Sequence, residues 1–312
     1  MKEGKSTVLV TGATGFVGRH LAPALGREGW IVRRAVRHLP RTGDEVLIQS
    51  IGPTTDWRAA LVEVDAVVHL AARVHNPNEE HAGELYRTIN TLGTLQLAES
   101  AARAGVKKFL YVSTILVNGS CTDGRGSFRE SDECAPRGVY GISKAQAEIG
   151  LKQLAQRSEM RISIVRPPLV YGPGAGGNFR HLARAVKFGI PLPLASIKNR
   201  RAFIGVQNLV SFISNWLSAE NEKFAIYLVA DSEQISTPEF IRRIAGAMNR
   251  RAFLLPVPMK VLERALRFAN RPELRNSLVG SMEVDISAAL STGWKPVISM
   301  NEGLRKAFNL LD

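Results

Sequence analysis

The sequence predicts an α/β fold, a doubly wound parallel sheet carrying a smaller, mostly helical C-terminal lobe. Three observations predict it. Short apolar runs alternate with helical patterns through the first half of the 312 residues, the order of a parallel sheet with helices on both faces. Those runs are continuously apolar, as strands buried on both sides are. After Pro167 the pattern changes to Gly- and Pro-rich loops and short helices.

Taken in order, Ser6–Gly12 (STVLVTG) is a buried strand and Gly15–Gly29 a helix closed by Gly29. Trp30–Arg37 is a second strand and Glu45–Gln49 a weak third. Asp65–Ala72 (DAVVHLAA) is a strong fourth, followed by a long helix from about His81 to Ala104. Lys107–Thr114 is the fifth strand. A polar loop then leads to a helix from about Val139 to Gln156, and Arg161–Pro167 is the sixth strand. Beyond it come a helix over Phe179–Phe188, an extended "IPLPL", the segment "RRAFIGV" and a core strand over Phe224–Ala230. A further helix has Thr237 as its cap and Pro238 in its first turn. Residues 1–168 form the first domain, with 202–231 returning to it. Residues 169–201 and 232–312 form the second lobe.

Composition narrows the function. With 45% hydrophobic and 22% charged residues the chain is globular. Cys121 and Cys134 share one loop and are expected as reduced thiols, because two cysteines make no disulfide framework. The six histidines, His20, His38, His69, His75, His81 and His181, are scattered, and no Cys/His cluster has zinc spacing, so no metal is expected. No signal segment or membrane span is legible, which makes the cytoplasm the expected location. The net charge of +13 is spread as pairs such as Arg33–Arg34 and Arg250–Arg251, without a long basic block. That suits anionic ligands, and loose attraction to an acidic membrane surface, better than nucleic acid.

"TGATGFVG" sets Gly12, Gly15 and Gly18 between the first strand and first helix. In that context glycines let the backbone turn tightly against a pyrophosphate, and the helix N-terminus offers free amides. Gly12, Thr14, Gly15, Phe16, Val17 and Gly18 are the expected cofactor-binding turn of a Rossmann-type domain. The second strand ends "RRAVRH" with no acid for the adenosine ribose. Arg33, Arg34 and Arg37 stand there instead and favour the extra phosphate of NADP, with NAD possible.

"VYGISK" places Tyr140 and Lys144 one helical turn apart. A phenol titrates near pH 10, too high for easy proton exchange at neutral pH. An ammonium a turn away stabilises the phenolate and lowers that value. The tuned tyrosine can then exchange a substrate hydroxyl proton while hydride moves to or from a nicotinamide. Ser113 or Thr114, at the end of the fifth strand, can hold the substrate oxygen.

These features together resemble the extended short-chain dehydrogenases/reductases, the NAD(P)-dependent epimerase/dehydratase group. The resemblance includes "TGATGFVG", "DAVVHLAA", "INTLGTLQLAESAARAGVKKFLYVST", "VYGISKAQAE", "IVRPPLVYGPG", "RRAFIGVQNLV" and the ending "DISAALSTGWKP…NEGL". It implies Tyr140 as acid/base, Lys144 on the nicotinamide ribose and Thr114 as the active-site hydroxyl, with Ser113 its neighbour. It also implies cofactor roles for Asn90, for Ala71, Ala72 and Arg73 where the backbone crosses the dinucleotide, and for Pro167 and Pro168 near the nicotinamide. Asn178 and Arg201 match the residues that grip a nucleotide diphosphate, and Pro191 to Leu194 the segment along the nucleobase.

Family members that dehydrate look like Thr-Asp-Glu at the active-site hydroxyl; here Ile115 and Leu116 follow Thr114, so dehydration is not expected. What remains is oxidation and reduction at sugar carbon 4. The NADP signal favours a reductase, and the segments "STILVNG" and "PLASIKNRRAFIGV" resemble a bacterial subgroup that makes UDP-2-acetamido-2,6-dideoxyhexoses, which implies a UDP-4-keto-6-deoxy-N-acetylhexosamine 4-reductase of surface polysaccharide (O-antigen) synthesis. A UDP-glucose or UDP-N-acetylglucosamine 4-epimerase is the alternative. A reductase of hydrophobic carbonyls and a non-catalytic NADP sensor are further ones. The resemblance also implies a homodimer, paired through the helix that carries Tyr140 and its neighbour.

Overall fold

The computed structural model describes residues 5–74, 81–268, 275 and 277–308; His75 lies outside them. The chain divides into two compact units. The first comprises Met1–Val117, Cys134–Arg166 and Phe212–Tyr227, and the second Asn118–Glu133, Pro167–Ser211 and Leu228–Asp312. The segment returning to the first unit is therefore shorter than expected, and the loop after Val117 joins the second unit.

The first unit is built on β1 (Thr7–Thr11), β2 (Ile31–Val36), β3 (Glu45–Leu47), β4 (Ala66–His69), β5 (Lys108–Val112) and β6 (Arg161–Arg166). These pair in parallel in the order β3-β2-β1-β4-β5-β6. A later strand, Phe224–Leu228, closes the β6 edge. The order reverses direction between β1 and β4, and in such sheets the crevice at that switch, beyond the strands' C-terminal ends, is where ligands bind. Helix α1 (Gly18–Arg27) follows β1, and the short α2 (Arg58–Leu61) precedes β4.

The expected long helix is in fact interrupted. It runs as α3 (Ala82–Tyr86), a π-helical stretch Arg87–Leu92, and α4 (Gly93–Arg103). Widened turns of this kind recur at functional sites, and this one contains Asn90. Helix α5 (Gly138–Arg157) carries Tyr140 and Lys144. It packs with α4 on the sheet: Leu97, Ala101, Ala147, Leu151 and Leu154 close over Leu9, Val67, Phe109 and Ile162. Truncating a core leucine such as Leu151 to Ala is expected to cost about 2–5 kcal/mol.

The second unit has its own sheet. Its β7 (Leu169–Tyr171) pairs in parallel with β8 (Arg201–Gly205), which pairs antiparallel with a two-residue strand at Gln234–Ile235. "RAFIG" thus belongs to the lobe. Helix α6 (Gly177–Lys187) and helix Thr237–Ala247 cover this sheet. Phe203 stacks on Phe240 with ring centroids 3.9 Å apart. The cap of helix Thr237–Ala247 is Ser236, whose hydroxyl accepts from Glu239 N, one residue before the expected Thr237.

Candidate active site

The turn after β1 is shaped by glycine. Gly12 has φ +69°, and a side chain there would come within 2.8 Å of Ala71 N, on the loop after β4. At Gly18 a Cβ would strike the Gly12 carbonyl and come within 2.5 Å of Ala13 Cα, so α1 packs directly on the turn. In the first turn of α1, Arg19 N is taken by Gly15 O (3.0 Å) and His20 N by Val17 O (3.1 Å), while the helix dipole favours an anion at this end. Thr14 and Gly15 are exposed, and Phe16 sets its ring edge-on to His20 at 5.8 Å. A cradle that admits no Cβ, closed by the β4 loop, fits a dinucleotide pyrophosphate.

The β2 arginines divide. Arg33 donates from Nη1 to the carbonyls of Ala60 (3.1 Å) and Val62 (2.5 Å), where it ties the end of α2 to the sheet. Arg34 is bound by Asp44, whose carboxyl it holds down at about 2. The expected cofactor role of Arg33 is corrected on this ground, because its guanidinium already serves two backbone carbonyls. Arg37, exposed just past the end of β2, is the cation left at the strand's tip.

The start of α5, which carries Tyr140, packs on the turn after Thr114. A short 3-10 turn, Ile115–Val117, follows Thr114, and Gly141 meets it: a Cβ on Gly141 would lie 3.2 Å from Leu116 O. Thr114 Oγ1 accepts from Leu116 N at 3.3 Å. Ser113 is buried and its hydroxyl donates to Glu148. That is a second correction: Ser113 anchors the carboxylate of Glu148.

Lys144 is buried. Its Nζ donates to Val112 O at 2.9 Å and lies 4.4 Å from the Tyr111 ring centroid. Burial brings its pKa down to about 7, against the opposing pull of Glu148. Nζ is 5.9 Å from the Tyr140 ring centroid. Burial, and secondly the neighbouring Tyr86, push the Tyr140 phenol above its ordinary value. The expected lowering by Lys144 is therefore not set up in this conformation: the ammonium is spent on Val112 and on the Tyr111 ring.

Asn90 is a clamp. Its Oδ1 accepts from Arg73 N at 2.8 Å, and its Nδ2 donates to Arg73 O and Ser143 Oγ, each at 3.0 Å. Ser143 Oγ in turn donates to Tyr140 O at 2.8 Å. Both amide protons of Asn90 are used, so it positions the Ala71–Arg73 backbone and α5 instead of donating to a cofactor. Beneath it His69 bonds Thr11 through Nδ1 (2.6 Å) and Thr94 through Nε2 (2.9 Å). Thr94 donates its own proton to Asn90 O at 2.7 Å, so His69 carries its proton on Nε2. Burial, with Lys144 nearby, holds its pKa down to about 3, and it is neutral.

Residues 8–230 match the model of the NAD dependent epimerase/dehydratase family. The chain belongs to this family. A "UDP-glucose 4-epimerase" of Vibrio cholerae is 38% identical over 307 residues, covering 96% of this chain and 94% of that one. A "GDP-6-deoxy-D-mannose reductase" of Pseudomonas aeruginosa is 28% identical over 310 residues, covering 96% and 94%. Among solved structures, MoeE5 in complex with UDP-glucuronic acid and NAD is 26% identical with TM-score 0.78, covering 97% of this chain and 98% of that one. As an epimerase/dehydratase family member the chain is an enzyme of the NAD(P)-dependent class, and the group its cradle fits is a nicotinamide dinucleotide.

The family's substrate positions lie in the second unit. Asn178 is exposed in the first turn of α6, whose cap Gly176 makes no side-chain hydrogen bond. Arg201 is buried and donates to Gly280 O at 2.6 Å. Burial lowers its pKa to about 10. Pro191 is exposed, and Pro167 is buried directly after β6. Leu194 is buried among Ile197, Phe203 and Phe240 in the lobe's core. Its expected place along a nucleobase is corrected, because the side chain turns inward.

Three residues of this epimerase/dehydratase site were missed. Glu148, Arg166 and Tyr86 line it or support it, and two of them left a trace. Glu148 follows Lys144 by one turn, and Arg166 is a charge inside an apolar strand, which signals a buried partner. Tyr86 sits edge-on to Tyr140 at 6.3 Å, a contact made across the chain that no local pattern announces.

Proposed function

We propose that this enzyme is an NAD-dependent UDP-hexose 4-epimerase. One observation carries the reading: Gly141, next to Tyr140, packs on Leu116 O two residues past Thr114, while Ile115 and Leu116 occupy the places of a dehydratase's acids, Ile115 buried in the fold. Hydride chemistry at a carbinol is thereby supported and loss of water is not. The likeness to the Vibrio cholerae epimerase favours inversion over one-way reduction. So does the loss of Arg33 and Arg34 as ligands for a 2′-phosphate.

When bound, the dinucleotide supplies a hydride acceptor and donor. The chain's residues do the rest. Tyr140 takes the proton of the 4-hydroxyl as carbon 4 becomes a carbonyl, and returns it after the sugar has turned over. Thr114 holds that oxygen in both orientations. Lys144, released from Val112, holds the nicotinamide ribose and favours the phenolate. Asn178 and Arg201 grip the diphosphate, so the sugar alone rotates, and Pro191 borders the nucleobase. Ile142 and Ile149 stand exposed on α5 at helical spacing, and we infer a homodimer through that helix.

Arg37 favours a second reading, an NADPH-dependent 4-ketoreductase supplying surface polysaccharide. The two separate on one experiment. Purified protein is heat-denatured and its released nucleotides are resolved by chromatography. Near-stoichiometric NAD supports the epimerase, and NADP, or an empty protein that takes up NADPH in preference to NADH, supports the reductase.

A further inference from the structure

The second unit has a face on which large apolar side chains stand in water among cations. Helix α6 ends at Lys187, and Gly189, at φ +63°, turns the chain into an extended run. That run lies beside residues 253–255: Leu192 N donates to Phe253 O and Leu255 N to Leu192 O, each at 2.8 Å. The pairing turns Leu192 and Leu254 toward the lobe's core. By strand alternation Phe253 and Leu255 then point outward. Phe253 is 56% and Leu255 49% exposed, and at the start of the run Phe188 is 66% and Ile190 49% exposed. Gly189 abuts Phe253, so the four form one patch.

The two segments that carry it are basic. Residues 167–201 contain no Asp or Glu, and neither do residues 248–262. Arg184 and Lys187 at the end of α6, Arg250 and Arg251 at the head of the second segment, and Lys260 are all exposed. Next to the patch a cleft of about 410 Å³ lies between Arg180, Arg184 and Lys187 on one side and Asn249 and Phe308 on the other. A second copy of the chain is a poor occupant, because a two-fold contact would set these cations against themselves. No helix among the described residues is long and apolar enough to cross a membrane, so insertion would be superficial.

We propose that this face docks the enzyme on an anionic lipid bilayer. Phe188, Ile190, Phe253 and Leu255 enter the headgroup layer, and the cations meet lipid phosphates. Docking is independent of the sugar chemistry, and it accounts for part of the +13 charge.

The test is co-sedimentation of the full chain with vesicles of phosphatidylcholine alone or mixed with phosphatidylglycerol. The proposal expects binding to the mixed vesicles only, weakening as salt is raised. Lys187→Glu and Arg250→Glu should each lower the partition about fivefold. Phe253→Ser with Leu255→Ser should abolish it, with the far-ultraviolet spectrum and turnover unchanged. Equal binding to both vesicles, no binding to either, or unchanged partition in the double serine variant would overturn it. So would a double serine variant that turns a dimer into a monomer in sedimentation velocity, since that assigns the face to a second copy.

Discussion

Glu148 holds Arg166 in a buried ion pair, Nη2 to Oε2 at 2.5 Å and Nε to Oε2 at 3.1 Å, one helical turn beyond Lys144. Ser113 donates to the same carboxylate from the end of β5. One charge pair thus ties α5, β5 and β6 together under the site. Removing one partner of such a pair leaves the other buried and uncompensated, at a cost of about 3–5 kcal/mol. Glu148→Gln should lower unfolding stability by that order in a denaturant titration, far more than loss of an exposed pair such as Arg58–Asp56. A change under about 1 kcal/mol would show that the pair is not structural.

Ser113 and Thr114 are adjacent but hold different posts. Thr114→Val should cut kcat by about 10²-fold, with melting temperature little changed. Ser113→Ala should do the reverse, lowering stability by about 1–3 kcal/mol with kcat within a few-fold of wild type. The split is read by steady-state kinetics beside calorimetry. Equal catalytic losses would restore Ser113 as a substrate ligand.

Lys144 gives the cofactor-free protein a pH signature. Its folded pKa is lowered from 10.5 to about 7. Between those values the unfolded chain binds a proton that the folded one does not, so stability must rise with pH across that window. Lys144→Met should flatten the rise. Urea titrations at a series of pH values compare the two, and equal slopes would place the ammonium in water.

At Gly18 a methyl group meets backbone, which cannot give way. Gly18→Ala should therefore abolish dinucleotide binding in calorimetry or, if the turn shifts, weaken it at least about 100-fold, taking roughly 2.7 kcal/mol as the equivalent loss. Gly26→Ala, in open space on the same helix, serves as the control and should bind normally.

Much of this was legible from the sequence, for physical reasons. β1, β4, β5 and β6 are continuous apolar runs, and the glycines of the cradle sit where a strand must turn onto a helix. Tyr140 and Lys144 are four apart on one helix. The failures share a cause: contacts between distant segments. Arg33 looks free beside Arg34 until α2 brings two carbonyls to it. Asn90 looks like the middle of a helix, yet the chain widens there to reach Arg73 and Ser143. Leu194 turns inward because the lobe's core lies behind it, and "RAFIG" pairs with β7 because Pro167 has already carried the chain out of the first sheet.

The most direct test of the central claim uses UDP-glucose and UDP-N-acetylglucosamine carrying deuterium at carbon 4, followed by proton NMR. With no nucleotide added, one of them should yield its 4-epimer with the deuterium still at carbon 4, and Tyr140→Phe should slow this at least about 100-fold. Washout of the label to solvent, or turnover of neither sugar while a 4-keto sugar is reduced on addition of NADPH, would contradict it.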